Sequence, residues 1–200
     1  MITNIFSENV ILEDERVLLR PLAENDYDLL LPFALNEPEL WKYSMVSPAG
    51  TEGMKIYIDS SLKNKSAGTE YSFIIFDKKQ NAWAGSTRFY DIQQSFLSTQ
   101  LGYTWYGKEF QRTGLNRHCK FLLLQFAFEQ WGLERVEFRA DANNKRSVDA
   151  MKAIGCTVEG ILRNHMPTYT GARRDSIVLS ILKNEWFDHV KADLQKKIYP

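Results

Sequence analysis

The stretch from residue 98 to residue 141 limits the fold more than any other. It opens on the strand pattern "STQLGYTWY" (Ser98–Tyr106) and passes through a polar loop. It then turns into an almost unbroken apolar helix pattern and ends on the alternating "ERVEFRAD". Two strands joined through a helix are parallel neighbours, and the crossover between them is right-handed. The helix carries Leu115, Cys119, Leu122 and Phe126 on one face, and Phe121, Leu124 and Phe128 widen that face. So broad an apolar arc must be covered on more than one side. The unit therefore predicts a parallel strand pair in the centre of a sheet.

The remaining segments build around it. "RVLLRPL" predicts a short strand ended by Pro21. "DYDLLLPFALN" predicts a short or kinked helix, because Pro32 lacks an N–H. Met54, Ile58 and Leu62 recur at every fourth position and predict an amphipathic helix, with Thr51 placed to cap it. "EYSFIIFD", "AWAGSTRFYDIQ" and "STQLGYTWY", joined by short polar turns, predict an antiparallel meander. "NKRSVDAMKAIG" predicts a helix closed by Gly155, followed by two strands around "PTYTG" and a last amphipathic helix. The fold class is mixed α/β: one mostly antiparallel sheet of about seven strands with one parallel pair, flanked by helices. We expect one domain over 1–200, with an N-terminal arm at 1–12 and a C-terminal helix or tail at 185–200.

Lys+Arg and Asp+Glu both number 25, and this balance argues against a nucleic-acid binder, which normally carries a basic excess. No apolar run approaches the ~20 residues of a membrane span, and the start of the chain lacks a signal core. The two cysteines, Cys119 and Cys156, lie in helix-like and strand-like segments and are expected as free buried thiols. A cytoplasmic protein with no membrane contact is expected, as a monomer or homodimer. No histidine pair has a ligand spacing, so no metal is expected.

The loop Gln111–Arg112–Thr113–Gly114–Leu115–Asn116 stands at the entrance of the apolar helix. A helix N-terminus offers N–H groups without internal partners and the positive end of the helix dipole, and it binds phosphate readily. Gly114 lets a ligand approach closely, and Arg112, Arg117 and Lys108 add positive charge. Neither nucleotide-binding glycine pattern is present. On its own the loop reads first as a plain turn, and the anion-binding reading comes second.

Its context resembles the GCN5-related N-acetyltransferase (GNAT) superfamily, which carries an Arg/Gln-x-x-Gly-x-Gly/Ala loop. Asn144-x-x-Ser147, followed by Ile154–Gly155 and Glu159–Gly160, is similar to the RimJ/RimL-like branch, as are "LLRPL" and "RRDSIVLSI". The resemblance implies that Gln111 to Asn116 seat the pyrophosphate of acetyl-CoA. It implies that strands 98–106 and 134–141 splay apart, and that the pantetheine arm pairs with the strand at Trp105 and Tyr106. A backbone N–H at Trp105 or Tyr106 would then stabilise the oxyanion. The implied reaction is transfer of the acetyl group to a primary amine, either a peptide N-terminus or a small molecule such as a polyamine. Acyl transfer with a longer chain, and a degenerate member that only binds coenzyme A, are the rivals. Asn116 departs from the family's Gly or Ala.

Ser147 is the residue the resemblance assigns to the departing sulfur; its other reading is a first-turn serine bonded to backbone. Asn144 caps the same helix and can also contact the pantetheine arm. For a proton acceptor, family members often place a Glu on the central strands or the sixth strand. Here the sixth strand has Asn164, His165 and Met166. His165 is the imidazole candidate, His118 is expected toward solvent or the adenine end, and Asp141 is a further carboxylate candidate. Glu137 is expected to pair with Arg135 and Arg139. Trp41, Tyr43, Arg88 and Tyr90 are the candidates for the wall of the acceptor site.

Overall fold

A computed structural model describes residues 4–199. The first three residues of the expected N-terminal arm, and Pro200 of the tail, lie outside them. Eight strands form one sheet in the order β1-β2-β3-β4-β5-β6-β8-β7. They are β1 (Leu12–Glu13), β2 (Val17–Pro21), β3 (Glu70–Asp77), β4 (Ala82–Gln93), β5 (Ser98–Tyr106), β6 (Arg135–Asp141), β7 (Thr157–Pro167) and β8 (Arg173–Leu182). All neighbours are antiparallel except β5 and β6, which run parallel. The strand beyond the expected seven is β1. Two residues are too short to show an alternation, so pairing with β2 alone defines it.

Helices α1 (Tyr27–Asn36) and α2 (Gly50–Ser66) cover one face of the sheet, and α3 (Leu115–Gln125) covers the other. Two adjacent residues of β4 record this division. Ser86 Oγ meets the Tyr57 hydroxyl of α2 at 3.2 Å, and Thr87 Oγ1 lies 3.5 Å from Lys120 Nζ of α3. Successive strand side chains point to opposite faces. Helix α3 continues through a wider turn (Phe126–Trp131) and stops at Gly132. The C-terminal segment, α5 (Lys183–Glu185), a turn at Trp186–Val190 and α6 (Lys191–Ile198), packs back on α3. There Trp186 meets Phe121 and Phe128. Helix α4 (Lys145–Ala153) is capped by Asn144, whose Oδ1 accepts from Ser147 N.

Two local expectations change. Helix α2 begins at Gly50 with Ala49 before it, so Thr51 lies inside the first turn and does not cap it. His118 is buried rather than facing solvent: its Nδ1 is 2.7 Å from Asp14 Oδ2, and its ring meets Tyr199 edge-on. The helix turn that carries it is closed off by both ends of the chain, which a local reading of α3 does not include. Both cysteines are free and buried, and burial pushes each thiol up to about 12. No helix of the described residues is long and apolar enough to cross a membrane.

The parallel pair is short. Ser98, Thr99 and Gln100 pair with Arg135, Val136 and Glu137, and there the pairing ends. The cause lies in β5. Tyr103 and Thr104 together oppose Thr87, and Tyr103 has φ of +49°. One extra residue on one strand bends it and increases its twist, so β5 swings away from β6 from Leu101 onward. Gly85 opposite keeps β4 against the bent strand. A Cβ there would stand 2.0 Å from the Trp105 carbonyl oxygen.

Candidate active site

The splayed strands open a cleft of about 1030 Å³. Gln111, Arg112, Gly114, Asn116 and Arg117 line it at the N-terminus of α3, and Asn144 and Ser147 line it on α4. Gly114 stands before α3 with φ of +90° and gives no side-chain cap. A Cβ at Gly114 would meet nothing within 4 Å, so the space above the loop is open. Among the described residues, no protein acceptor takes the N–H of Arg112, Thr113, Gly114 or Asn116. Free donors of this kind, with the positive end of the helix dipole, can seat an anion.

On β5, Gly107 N–H donates to Ala84 O at 3.0 Å. By strand alternation the Trp105 N–H also faces β4, while the Tyr106 N–H and C=O face the gap. Gln111 Nε2 donates to that Tyr106 carbonyl at 2.7 Å, tying the loop to the splayed strand. The Tyr106 side chain turns the other way. Its hydroxyl donates to Asn116 Oδ1 at 3.1 Å, and burial raises its pKa well above the ordinary tyrosine value. So the departure at Asn116 has a structural use: its amide receives a buried hydroxyl that a Gly or Ala could not. Ser147 Oγ has no protein partner among the described residues and lines the cleft. Its N–H, not its hydroxyl, makes the cap bond to Asn144.

The far end of the cleft is aromatic. Trp41 packs edge-on against Trp105, ring centroids 4.9 Å apart, and is fully buried with its Nε1–H unpartnered. Tyr43 and Tyr90 line the same end. Tyr43 gives its carbonyl to Arg174 Nη1 at 3.1 Å, and Tyr90 meets Tyr103 edge-on at 5.0 Å. Burial raises the Tyr103 hydroxyl above its ordinary value, so it stays neutral.

Most other residues singled out from sequence stand elsewhere. Arg88 is buried behind the cleft wall, ion-paired with Glu70 at 2.6 Å and held between the rings of Tyr57 and Tyr103. It lines a separate pocket of about 250 Å³. Thr113 turns its hydroxyl back to Phe110 O, and the Leu115 side chain is core, so both reach the anion seat through backbone alone. His165 on β7 bonds Ser176 Oγ at 3.0 Å. Burial and the nearby Arg139, Arg174 and Arg173 lower its pKa, so its imidazole is neutral at pH 7. Glu137 pairs with Arg135 and Arg139, as expected of it. Asp141 lines the cleft, and its Oδ1 accepts from Asn143 N at 2.9 Å.

Sequence reading passed over two cations. Lys120 and Arg174 are both buried and both line the cleft. The available signals were a lysine inside the apolar arc of α3, and an arginine in phase with the inward residues Ser176, Val178 and Ser180 of β8.

The GNAT acetyltransferase domain profile matches residues 16–157. YdaF of Bacillus subtilis (strain 168), named for a proposed ribosomal N-acetyltransferase activity, is 25% identical over 179 residues, covering 86% of this chain and 94% of that one. The crystal structure of a GCN5-related N-acetyltransferase from Brucella melitensis superposes with a TM-score of 0.87 at 25% identity, covering 96% of this chain and 87% of that one. RimL, the ribosomal L7/L12 α-N-protein acetyltransferase, shares the fold at 18% identity with a TM-score of 0.78, covering 87% of this chain and 94% of that one. With the splayed parallel pair, the free N–H donors before α3 and a family match spanning β2 to the start of β7, the chain belongs to the GNAT acetyltransferase family.

Proposed function

We propose that this acyltransferase uses acetyl-CoA and acetylates a primary amine by direct attack within a ternary complex, with a peptide α-amine as its preferred acceptor. The observation that carries the reading is the cleft, which joins an anion seat at one end to an aromatic wall at the other through the gap between β5 and β6. Eleven charged residues line it, of which nine are cationic and only Glu39 and Asp141 are acidic. The whole chain is neutral, so this excess is local. It suits a ligand with several phosphates.

The residues present fit acetyl-CoA. The free N–H groups of Arg112, Thr113, Gly114 and Asn116, with Arg112 and Arg117 beside them, would hold the pyrophosphate. The Asn144 amide nitrogen and the Tyr106 N–H would hold the pantetheine arm. When bound, the cosubstrate supplies an acyl thioester whose carbonyl accepts a nucleophile. The chain's own contribution is to orient and to exclude water. Ser147 Oγ is free to donate to an anionic sulfur, and Trp41, Tyr43 and Tyr90 would flank the acceptor. The unpaired thiols of Cys119 and Cys156 suit the cytoplasm.

The acceptor preference follows from acid–base chemistry. Only a neutral amine attacks. An α-amine titrates near ~7.7–8.0 and a lysine amine near ~10.4, so at pH 7 neutral lysine is scarcer by a factor of several hundred, or roughly 3.5 kcal/mol. Free-thiol release from acetyl-CoA against a panel of peptides, lysine derivatives and polyamines tests the reading. A peptide with a free α-amine is expected to outcompete the same peptide with only a lysine amine. Preferred acetylation of lysine at pH 7 would overturn that preference, and no turnover with any amine would overturn the function.

A further inference from the structure

Lys120 interrupts the apolar arc of α3 and is only 5% exposed. Its Nζ donates to Thr104 Oγ1 at 2.8 Å, lies 3.5 Å from Thr87 Oγ1, and sits 5.9 Å from the Phe138 ring centre. The elements packed around it bring no counter-charge. Strands β4 and β5 offer the two threonine hydroxyls, and β6 offers a phenyl ring. Its own helix offers Cys119, and the residue before β7 is Cys156. Both thiols stay protonated, because burial pushes each up to about 12. Arg139 and Asp141 occupy the alternate positions of β6, on the face away from Phe138. No carboxylate among the described residues pairs with Lys120. Burying an unpaired ammonium is costly, and the usual outcome is loss of the proton. Here burial brings the amine down to about 8.

Lys120 is nevertheless not sealed off. It lines the cleft at the level of Phe138, the first β6 residue beyond the last parallel pair, Gln100 with Glu137. Its partner Thr104 is one of the two bulge residues that open the gap. The group therefore stands where the two strands part, inside the crevice and off the solvent-facing rim.

We propose that Lys120 is the proton acceptor of the acyl transfer, an assignment that rests on the acetyltransferase reading. As the acceptor nitrogen bonds to the thioester carbonyl carbon, Lys120 takes one N–H proton onto the Nζ lone pair, with Thr104 Oγ1 fixing the direction of that lone pair. The carbon–sulfur bond breaks and its electron pair leaves on sulfur. Lys120 then returns the proton to that thiolate. The amine ends as an amide, coenzyme A as the free thiol, and Lys120 as it began. This supplies the proton acceptor that His165, outside the cleft, does not.

The test separates Lys120 from the acceptor's own ionisation. A hydrazide acceptor stays neutral over about pH 6 to 9, and the phosphate monoester of acetyl-CoA titrates near ~6, so a rate limb near about 8 belongs to the enzyme. For the native protein, kcat/KM with acetyl-CoA should rise with a midpoint near about 8. Lys120→Met should flatten the profile and lower kcat/KM by about 100-fold, the lower range for a general base. In the ligand-free protein labelled at lysine Cε, one carbon resonance should titrate near about 8 and be missing from Lys120→Met. A flat profile in the native protein, an unchanged limb in the variant, or a native protein in which no lysine resonance titrates near about 8 would each overturn the proposal. The first and third need no variant to fold. No turnover with any amine would remove the parent reading and this one with it; turnover with an unchanged limb removes this one alone.

Discussion

At the scale of the residue, the two groups nearest the chemistry make opposite demands on stability. Ser147 gives its N–H to the Asn144 cap and leaves its hydroxyl free, so removing the hydroxyl costs the helix nothing it uses. An interaction that grows as charge forms on sulfur acts on the transition state and not on binding. Ser147→Ala should therefore lower kcat by about tenfold, or about 1.4 kcal/mol. Its acetyl-CoA affinity, read by calorimetry, and its melting temperature should stay unchanged. Lys120 is the reverse case, and its pH dependence has a definite sign. Burial lowers its pKa to about 8 in the fold, against ~10.4 in the unfolded chain. Between those values the unfolded state binds more protons, so stability rises with pH across that window. Below about 8 both states are protonated and the full penalty, about 3 kcal/mol, remains. Lys120→Met should be more stable than the native protein at pH 7. Urea unfolding should show that advantage shrink steadily toward pH 10–11, where the native amine is neutral in both states. An advantage independent of pH would mean that Lys120 is not desolvated as described. Neither Lys120 nor Arg174 was legible as a site residue from sequence. A lysine in an apolar arc reads as one that snorkels to water, and only the bulge at Tyr103 and Thr104 decides that this one opens into a cleft.

At the scale of the element, the loop before α3 is where sequence and structure agree most fully. Gly114 was legible because it stands between a strand pattern and an apolar helix pattern, and the left-handed backbone there needs a residue of its kind. Strands β3, β4 and β5 run between the same residues the alternation predicts, because each is bounded by polar turns. The splay of β5 from β6 was not legible from pattern. It depends on one extra residue at Tyr103, which leaves the sequence alternation nearly intact, and the expectation came from resemblance alone. The anion seat gives a direct test. Asp tolerates the left-handed conformation better than most residues, and a side chain at Gly114 meets open space. Gly114→Asp should thus fold while placing a negative charge among the free N–H groups. In the native protein, acetyl-CoA at about 100 times its Kd should add about 2.7 kcal/mol, a melting shift of roughly 5–10 °C for this size of chain. The variant should show almost none of that shift. A full shift in a folded Gly114→Asp protein would move the pyrophosphate away from this loop.

At the scale of the whole molecule, the charge distribution extends the argument from cosubstrate to acceptor. A neutral chain has gathered nine cations against two carboxylates along one cleft. Those at the α3 and α4 end, such as Arg112, Arg117, Lys145 and Arg146, would face the phosphates of the proposed cosubstrate. Arg174 and Lys42 lie at the aromatic end and have no such role. Arg174 is 8% exposed, bonded only to Ser176 Oγ and the Tyr43 carbonyl, and pairs with no carboxylate among the described residues. A buried guanidinium without a counter-charge attracts one from any ligand that reaches it. An acceptor peptide with Asp next to its free α-amine should accordingly outcompete the same peptide with Lys there, by about tenfold in kcat/KM at low salt. The pair should converge as ionic strength rises and the exposed Lys42 is screened, while a residual preference set by the buried Arg174 persists. Arg174→Gln should remove that residual and leave the acetyl-CoA melting shift intact, because Arg174 lies at the opposite end of the cleft from the anion seat. Equal rates for the two peptides at low salt would show that the aromatic end does not read acceptor charge, and would leave its tyrosines and tryptophans to select by shape alone.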